Sequence, residues 1–282
     1  MVGPGPSARK PTAQAGRAGR PQEGRAAGAQ LTNEPEPRSK PSAAAADSPK
    51  QPVQSPSVHP PEILMPPAGR VLVIAPHPDD ESCGMGGTIA LHRRQGDRVH
   101  LLFLTDGTNG DPNGRYGDEI AELRRDEARA AAEVLGGCSC EFLGLPDDHE
   151  ATDDDFEMVA DHMDAVFERE QPDLVYVPWV EEAHQDHANS CTALRRLLAR
   201  RRADGRSLPR VLEYEVWSPL PADWIVDISA TADQKRDAML AHASQVAYTD
   251  YPHQLMGLAA HRSVYLPKTS RYGEAFREGS AT

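Results

Sequence analysis

The chain has 282 residues and carries 30 Lys+Arg against 43 Asp+Glu, a formal net charge of −13. That charge is unevenly divided: residues 1–67 hold 14 of the 25 prolines, no aromatic residue and a net +3, whereas 68–282 carry −16. An acidic unit of about 215 residues can bury one sizeable core but is a poor match for a nucleic-acid backbone, which attracts Lys and Arg, and no stretch nears the ~18 consecutive apolar residues of a membrane span.

Residues 1–67 are rich in Pro, Ala, Gly, Ser, Arg and Gln. Such a segment cannot bury enough apolar surface to offset its ordering entropy, so a disordered extension is expected. It has no apolar core of the kind a signal peptide needs. The four cysteines, Cys83, Cys138, Cys140 and Cys191, are too few for a disulfide framework in a chain this long. They are expected to be reduced, buried thiols of a cytoplasmic protein, with a metal clamp at Cys138 and Cys140 as the weaker alternative.

The ordered part, 68–282, opens with Val71-Leu-Val-Ile-Ala-Pro76, a continuous apolar run that predicts a buried parallel strand. His77-Pro-Asp-Asp-Glu81 follows, then a Gly-rich turn over 84–87 and a helix to about Arg94. Residues 99–105 predict a second buried strand, and the Asn-Gly and Asp-Pro pairs of 108–117 a long loop. A helix is predicted over 118–136, stopped by Gly136-Gly137. A short strand over 142–145 and a helix capped by Thr152 come next.

Residues 174–179 predict another parallel strand, ending in a loop with His184-Gln-Asp-His187, and a helix continues to about Arg202. Strands are expected over 211–217 and 224–228, and Thr231 with Gln234 has the form of a capping box. The helix it would start carries Lys235, Met239 and His242 on one face. Alternating strands and helices predict a single α/β domain, Rossmann-like, with a mostly parallel sheet and helices on both faces. Both polar clusters follow predicted strands, and in such sheets ligands bind outside the carboxyl ends of the strands. About 100 residues apart in sequence, the two clusters should therefore meet at one rim.

Imidazole and carboxylate suit zinc and other first-row divalent metals. His77 and Asp80, three apart in a turn, can grip one ion, and His184 or His187 can supply a third ligand, leaving a position open for water. Asp79, beside ligand Asp80, can accept that water's proton. The remaining histidine can stabilise an oxyanion or protonate a leaving group, with Asp186 orienting it.

Ala75-Pro-His-Pro-Asp-Asp-Glu81 followed by Gly84-x-Gly-Gly87 resembles the opening signature of the PIG-L/LmbE-like N-acetylglucosaminyl deacetylase family, with Pro76 as an extra residue. His184-Gln-Asp-His187 resembles its second motif. Thr105-Asp-Gly107, Arg124-x-x-Glu-Ala128, Lys235 with His242-x-Ser-Gln245, and Glu274-Ala-Phe276 are similar to its further markers. The resemblance spans about 68–280. It implies a zinc-dependent amidase, with iron(II) as the alternative ion, that removes acetate from an N-acetylglucosamine moiety. Carried over by motif, His77, Asp80 and His187 would be the metal ligands, Asp79 the general base and His184 the oxyanion stabiliser oriented by Asp186. Arg124 and His242 would approach the substrate.

Beside a small N-acetylated amino sugar as partner stand two alternatives: an amidase of thiol conjugates, and a non-catalytic binding module. Trp179 is expected in the core rather than against a sugar. The Arg-rich run 195–210 is expected to answer the acidic stretch 147–164, within one subunit or across a homo-oligomer.

Overall fold

The computed structural model describes residues 61–147 and 150–279, all within the unit Pro56–Thr282. Residues 1–60 of the expected extension lie outside the described residues. Its last part is described, and it contains a two-residue strand, β1 (Glu62–Ile63), paired with the far edge of the sheet.

The continuous apolar runs become strands buried on both faces. In chain order come β2 (Arg70–Ala75), α1 (Asp80–Arg94), β3 (Arg98–Thr105), α2 (Ile120–Val134) and β4 (Ser139–Leu145). These are followed by α3 (Asp153–Glu170), β5 (Leu174–Pro178), α4 (Gln185–Ala203), β6 (Arg210–Tyr214), β7 (Trp224–Asp227) and α5 (Ala232–Ala241). Finally come α6 (Ala243–Val246), α7 (Tyr251–Arg262) and β8 (Gly273–Glu278). The strands form one sheet in the order β1-β7-β8-β6-β5-β2-β3-β4, parallel except where β8 runs against β6 and β7. From β2 the chain steps outward to β3 and β4, then returns to the other side of β2 with β5. The order reverses between β2 and β5, which opens a crevice at their carboxyl ends.

Strand alternation sends the two faces of β2 into separate cores. Val71, Val73 and Ala75 pack with Ile89, Ala128 and Met239 on one side. Leu72 and Ile74 pack with Val166, Leu194 and Leu197 on the other. Helices thus cover both faces, as the pattern of elements predicts.

Some local expectations are corrected. The Gly-rich turn lies inside α1, with a kink at Met85 (φ −142°, ψ 23°). A Cβ on Gly84 would stand 2.5 Å from the Tyr214 ring, so the missing side chain lets this helix lie against β6. Thr231 does not cap α5; its hydroxyl donates to the Gly87 carbonyl at 2.8 Å, and Gln234 donates to Val134 O. Thr152 does cap α3, in a reciprocal box with Asp155. Strand β6 stops at Tyr214, three residues before the expected end.

The Arg-rich face of α4 pairs within the chain. Arg196 and Arg200 reach Asp153, Glu157 and Asp161 of α3, and Arg201 and Arg206 both reach Asp164. The four cysteines are free, and burial pushes the Cys138 and Cys140 thiols up to about 12, which keeps them protonated at neutral pH. Among the described residues no helix is long and apolar enough to cross a membrane.

Candidate active site

β2 ends in Pro76, and the next four residues make a tight turn at the crevice. Asp79 N and Asp80 N both donate to His77 O, at 3.0 and 3.3 Å. The turn folds the Asp80 carboxylate back on its neighbour: Oδ2 accepts from His77 N at 2.8 Å and lies 3.0 Å from His77 Nδ1. Asp79 occupies a sparsely populated backbone region (φ 156°, ψ −23°) immediately before α1, the kind of strain that concentrates at functional sites. Its side chain takes a different course from that of Asp80. Oδ2 accepts from Arg124 Nη2 at 3.0 Å and from the Tyr251 hydroxyl at 3.2 Å.

The second cluster comes from the crevice's other wall. Sequence reasoning expects a loop here; the structure starts α4 with it. His184 is the N-cap, its Nδ1 accepting from Asp186 N at 3.3 Å, so Asp186 and His187 sit in the first helical turn. His187 Nε2 lies 3.2 Å from Asp80 Oδ2. The ring centroids of His77 and His184 are 4.6 Å apart, and those of His184 and His187 5.2 Å. The two clusters do meet at one rim.

Ligand atoms of His77, His184 and His187 lie within 4.8 Å of one another, as do those of His77, Asp147 and Asp186. The set His77, Asp80 and His187 converges on Asp80 Oδ2. His187 is fully buried; its Nε2 faces the Asp80 carboxylate in poor hydrogen-bond geometry, and its Nδ1 has no hydrogen-bond partner. A buried, unsatisfied imidazole is costly, and a divalent cation is the group that would satisfy it. Imidazole with carboxylate fits zinc or iron(II).

Burial works against a proton on His77, but hydrogen bonds to Asp147, Asp186 and Asp80 outweigh it and hold this imidazole well above the usual histidine range. Burial would raise Asp80, yet the His187 and His77 rings bring it well below the carboxylate range. For Asp79 burial prevails over the nearby Arg124, and its pKa is raised. Burial, then the neighbouring His77 and His187, lower His184.

Of the two expected substrate contacts, His242 lies off the cavity and Arg124 on its wall. His242 is fully buried at the end of α5, with Nε2 3.2 Å from Glu81 Oε1, and does not line the cavity. Arg124 does line it but is only 3 % exposed, and its guanidinium is committed to Asp79, Pro78 O and Gly107 O. Its place is behind the Asp79 carboxylate. The Asp186 carboxylate lies 3.2 Å from His77 Nε2, and the backbone N–H of Asp186 donates to His184 Nδ1. Trp179 is buried, as expected, with Nε1 donating to Ser218 O.

Three residues were missed. Asp147 follows β4, and its Oδ1 lies 3.0 Å from His77 Nε2; its position after a strand of the same sheet was the available signal. Tyr251 and Trp217 come from α7 and from the loop after β6, and no local motif marks them. With Asn109 they complete a cavity of about 290 Å³ over His77, Asp79 and Asp80.

Residues 72–198 match the family model described as GlcNAc-PI de-N-acetylase (PIG-L). The chain is 33% identical over 187 residues to a probable N-acetyl-alpha-D-glucosaminyl L-malate deacetylase 2 of Bacillus subtilis, covering 62% of this chain and 82% of that protein. It is 28% identical over 235 residues to a 4-oxalmesaconate hydratase of Pseudomonas putida, covering 76% and 88%. The solved N,N'-diacetylchitobiose deacetylase from Pyrococcus horikoshii superposes with a TM-score of 0.63 at 28% identity, over 74% of this chain and 82% of that one.

Proposed function

The chain belongs to the PIG-L family of GlcNAc-PI de-N-acetylases, and from that premise we propose that it hydrolyses the acetamide of an N-acetylglucosamine-containing substrate, releasing acetate and a free amine. The observation that carries this reading is the adjacency of Asp79 to Asp80 in one turn. One carboxylate is folded onto His77 and His187, and the other is held apart by Arg124 and Tyr251.

His77, Asp80 and His187 would hold a divalent cation, zinc or iron(II). When bound, such an ion polarises an amide carbonyl and brings the pKa of water down to about 7. Asp79 takes the proton of the attacking water. Its raised pKa brings it nearer the operating pH, where a general base works best. Burial, then the neighbouring His77 and His187, lower the pKa of His184, which favours its neutral form. Its Nδ1 accepts from the Asp186 backbone N–H, which puts the ring proton on Nε2, and in the proposed reaction that N–H donates to the tetrahedral oxyanion. The C–N bond breaks as Asp79 passes the water's proton on to the departing amine, which restores the carboxylate.

The hydratase relative supports a second reading, addition of water to an unsaturated acid by the same base. The cavity counts against it. Asp79, Asp80 and Asp147 line it, and its one guanidinium is already committed to Asp79 and two carbonyls. A polycarboxylate would find no uncommitted guanidinium or ammonium among the described lining residues, whereas a neutral acetamido sugar needs none.

The decisive assay measures acetate release by the metal-reconstituted protein from N-acetylated sugars, thiol glycosides and an unsaturated dicarboxylate, with a chelated control. Release from the sugars alone, abolished by chelator, is the expected result; hydration of the dicarboxylate without acetate would replace this reading with the second. His187→Ala should lose the metal itself, to be measured by elemental analysis.

A further inference from the structure

Among the described residues, Trp217 is the more exposed of the Trp and Tyr side chains that line the cavity. It is 37 % exposed, whereas Tyr251 on the same wall is 8 % exposed. Its indole lies against the Tyr251 ring, centroids 5.4 Å apart at 51°, and the Tyr251 hydroxyl holds the base Asp79. A cavity of about 290 Å³ is at the lower limit for a small-molecule site and has room for about one acetamido sugar. Whatever is attached to that sugar must leave over the rim, where the indole stands.

The segment bearing Trp217 is held unusually firmly for a loop. The buried Glu182 accepts from Val216 N at 2.6 Å, Trp217 N at 3.0 Å and Ser218 N at 3.1 Å. Ala183 N donates to Ser218 Oγ at 3.0 Å, and Trp179 Nε1 to Ser218 O at 3.1 Å. These contacts join the loop to the residues directly before His184. On its far side Glu215 accepts from Leu220 N and from Arg262, closing the loop a second time. An aromatic face fixed in advance and already placed beside the reacting centre costs little ordering entropy when it is covered.

We propose that Trp217 is a specificity-determining platform on which a second pyranose ring, glycosidically linked to the acetamido sugar, stacks by its apolar face. This rests on the deacetylase reading and deepens it: the preferred substrate class becomes an oligosaccharide or glycosyl-sugar conjugate rather than a monosaccharide or a conjugate with a small anion. The described lining offers no uncommitted guanidinium or ammonium to an anionic substituent, which agrees with an uncharged second ring. The large, flat and half-apolar indole matches the C–H face of a pyranose as it matches other rigid rings.

The test compares a disaccharide of N-acetylglucosamine with the methyl glycoside of N-acetylglucosamine on the metal-loaded full chain. Trp217→Ala should lower kcat/KM for the disaccharide at least tenfold more than for the methyl glycoside, chiefly through KM, and Trp217→Phe should restore most of that difference. Equal losses on both substrates, or none on either, would overturn the platform and leave the deacetylase reading standing. A second readout does not need turnover: the deacetylated disaccharide should perturb tryptophan emission in the wild type and not in Trp217→Phe. That signal without acetate release from either sugar would uphold the platform and sink the deacetylase reading. An emission change of equal size in both proteins would refute the platform.

Discussion

Asp79 is held by one oxygen. Both hydrogen bonds converge on Oδ2, from a guanidinium at 3.0 Å and a phenol at 3.2 Å, so Oδ1 is the atom left to receive a proton. This division of labour makes two substitutions informative. Asp79→Asn keeps the shape and most of the contacts but cannot act as a base; turnover should fall by about 10²–10⁴-fold with metal content unchanged. Near wild-type acetate release would remove Asp79 from its role. Tyr251→Phe removes one of the two donors. A hydrogen bond to a charged group contributes about 1.5–3 kcal/mol, and Arg124 retains part of the alignment, so kcat should drop about tenfold with KM within about twofold and metal content preserved. A change in KM alone, measured in the same steady-state assay, would place Tyr251 against substrate instead of behind the base.

At the scale of elements, α1 shows how much of the site depends on packing. Asp79 and Asp80 stand where α1 begins, and the helix reaches that place only because Gly84 lets it lie against the ring of Tyr214. Gly84→Ala puts a Cβ 2.5 Å from that ring, closer than real contacts allow. Overpacking of this kind costs about 1–3 kcal/mol, and relief by moving α1 would shift Asp80 away from His187. Lower Tm together with weaker metal binding is therefore expected, and a loss of Tm with unaltered metal affinity would show that the turn at 77–80 is independent of the helix. The strands and the rim were legible in the sequence because buried parallel strands are continuous apolar runs, and because His77 to Asp80 and His184 to His187 are contiguous. Trp217 and Tyr251 were not. They reach the cavity through long-range hydrogen bonds, Glu182 to the Trp217 loop and Tyr251 to Asp79, and such pairings leave no local spacing to read. His242 was misplaced for a related reason: its spacing from Lys235 gave the right helix face, but the buried partner Glu81 lies 161 residues away.

For the whole molecule, two groups within the acidity of 68–282 have a defined place in the structure. One is structural, the pairing of α3 carboxylates with α4 guanidiniums. The other surrounds His77, whose three carboxylate neighbours raise its pKa in the metal-free protein. The sign of the resulting pH dependence follows from that direction. A histidine whose folded pKa is raised contributes stability that is fully present below its unfolded value of about 6.5 and is lost as pH rises through the folded pKa. His242, raised by its hydrogen bond to Glu81 against its own burial, acts in the same sense. Metal binding has the opposite dependence on His77, since a ligating imidazole must first lose its proton. The apparent metal affinity should therefore rise with pH until His77 is deprotonated, by up to about tenfold per unit for the one proton released. A ligand that binds only the folded state raises stability with the logarithm of its concentration over Kd. The Tm gained on adding a fixed excess of zinc should accordingly grow between pH 6 and pH 8, while the Tm of the chelated protein flattens or declines over the same interval. Thermal scans with and without zinc at several pH values measure both trends. A zinc-induced gain that is constant or shrinks with rising pH would mean that His77 is not among the ligands.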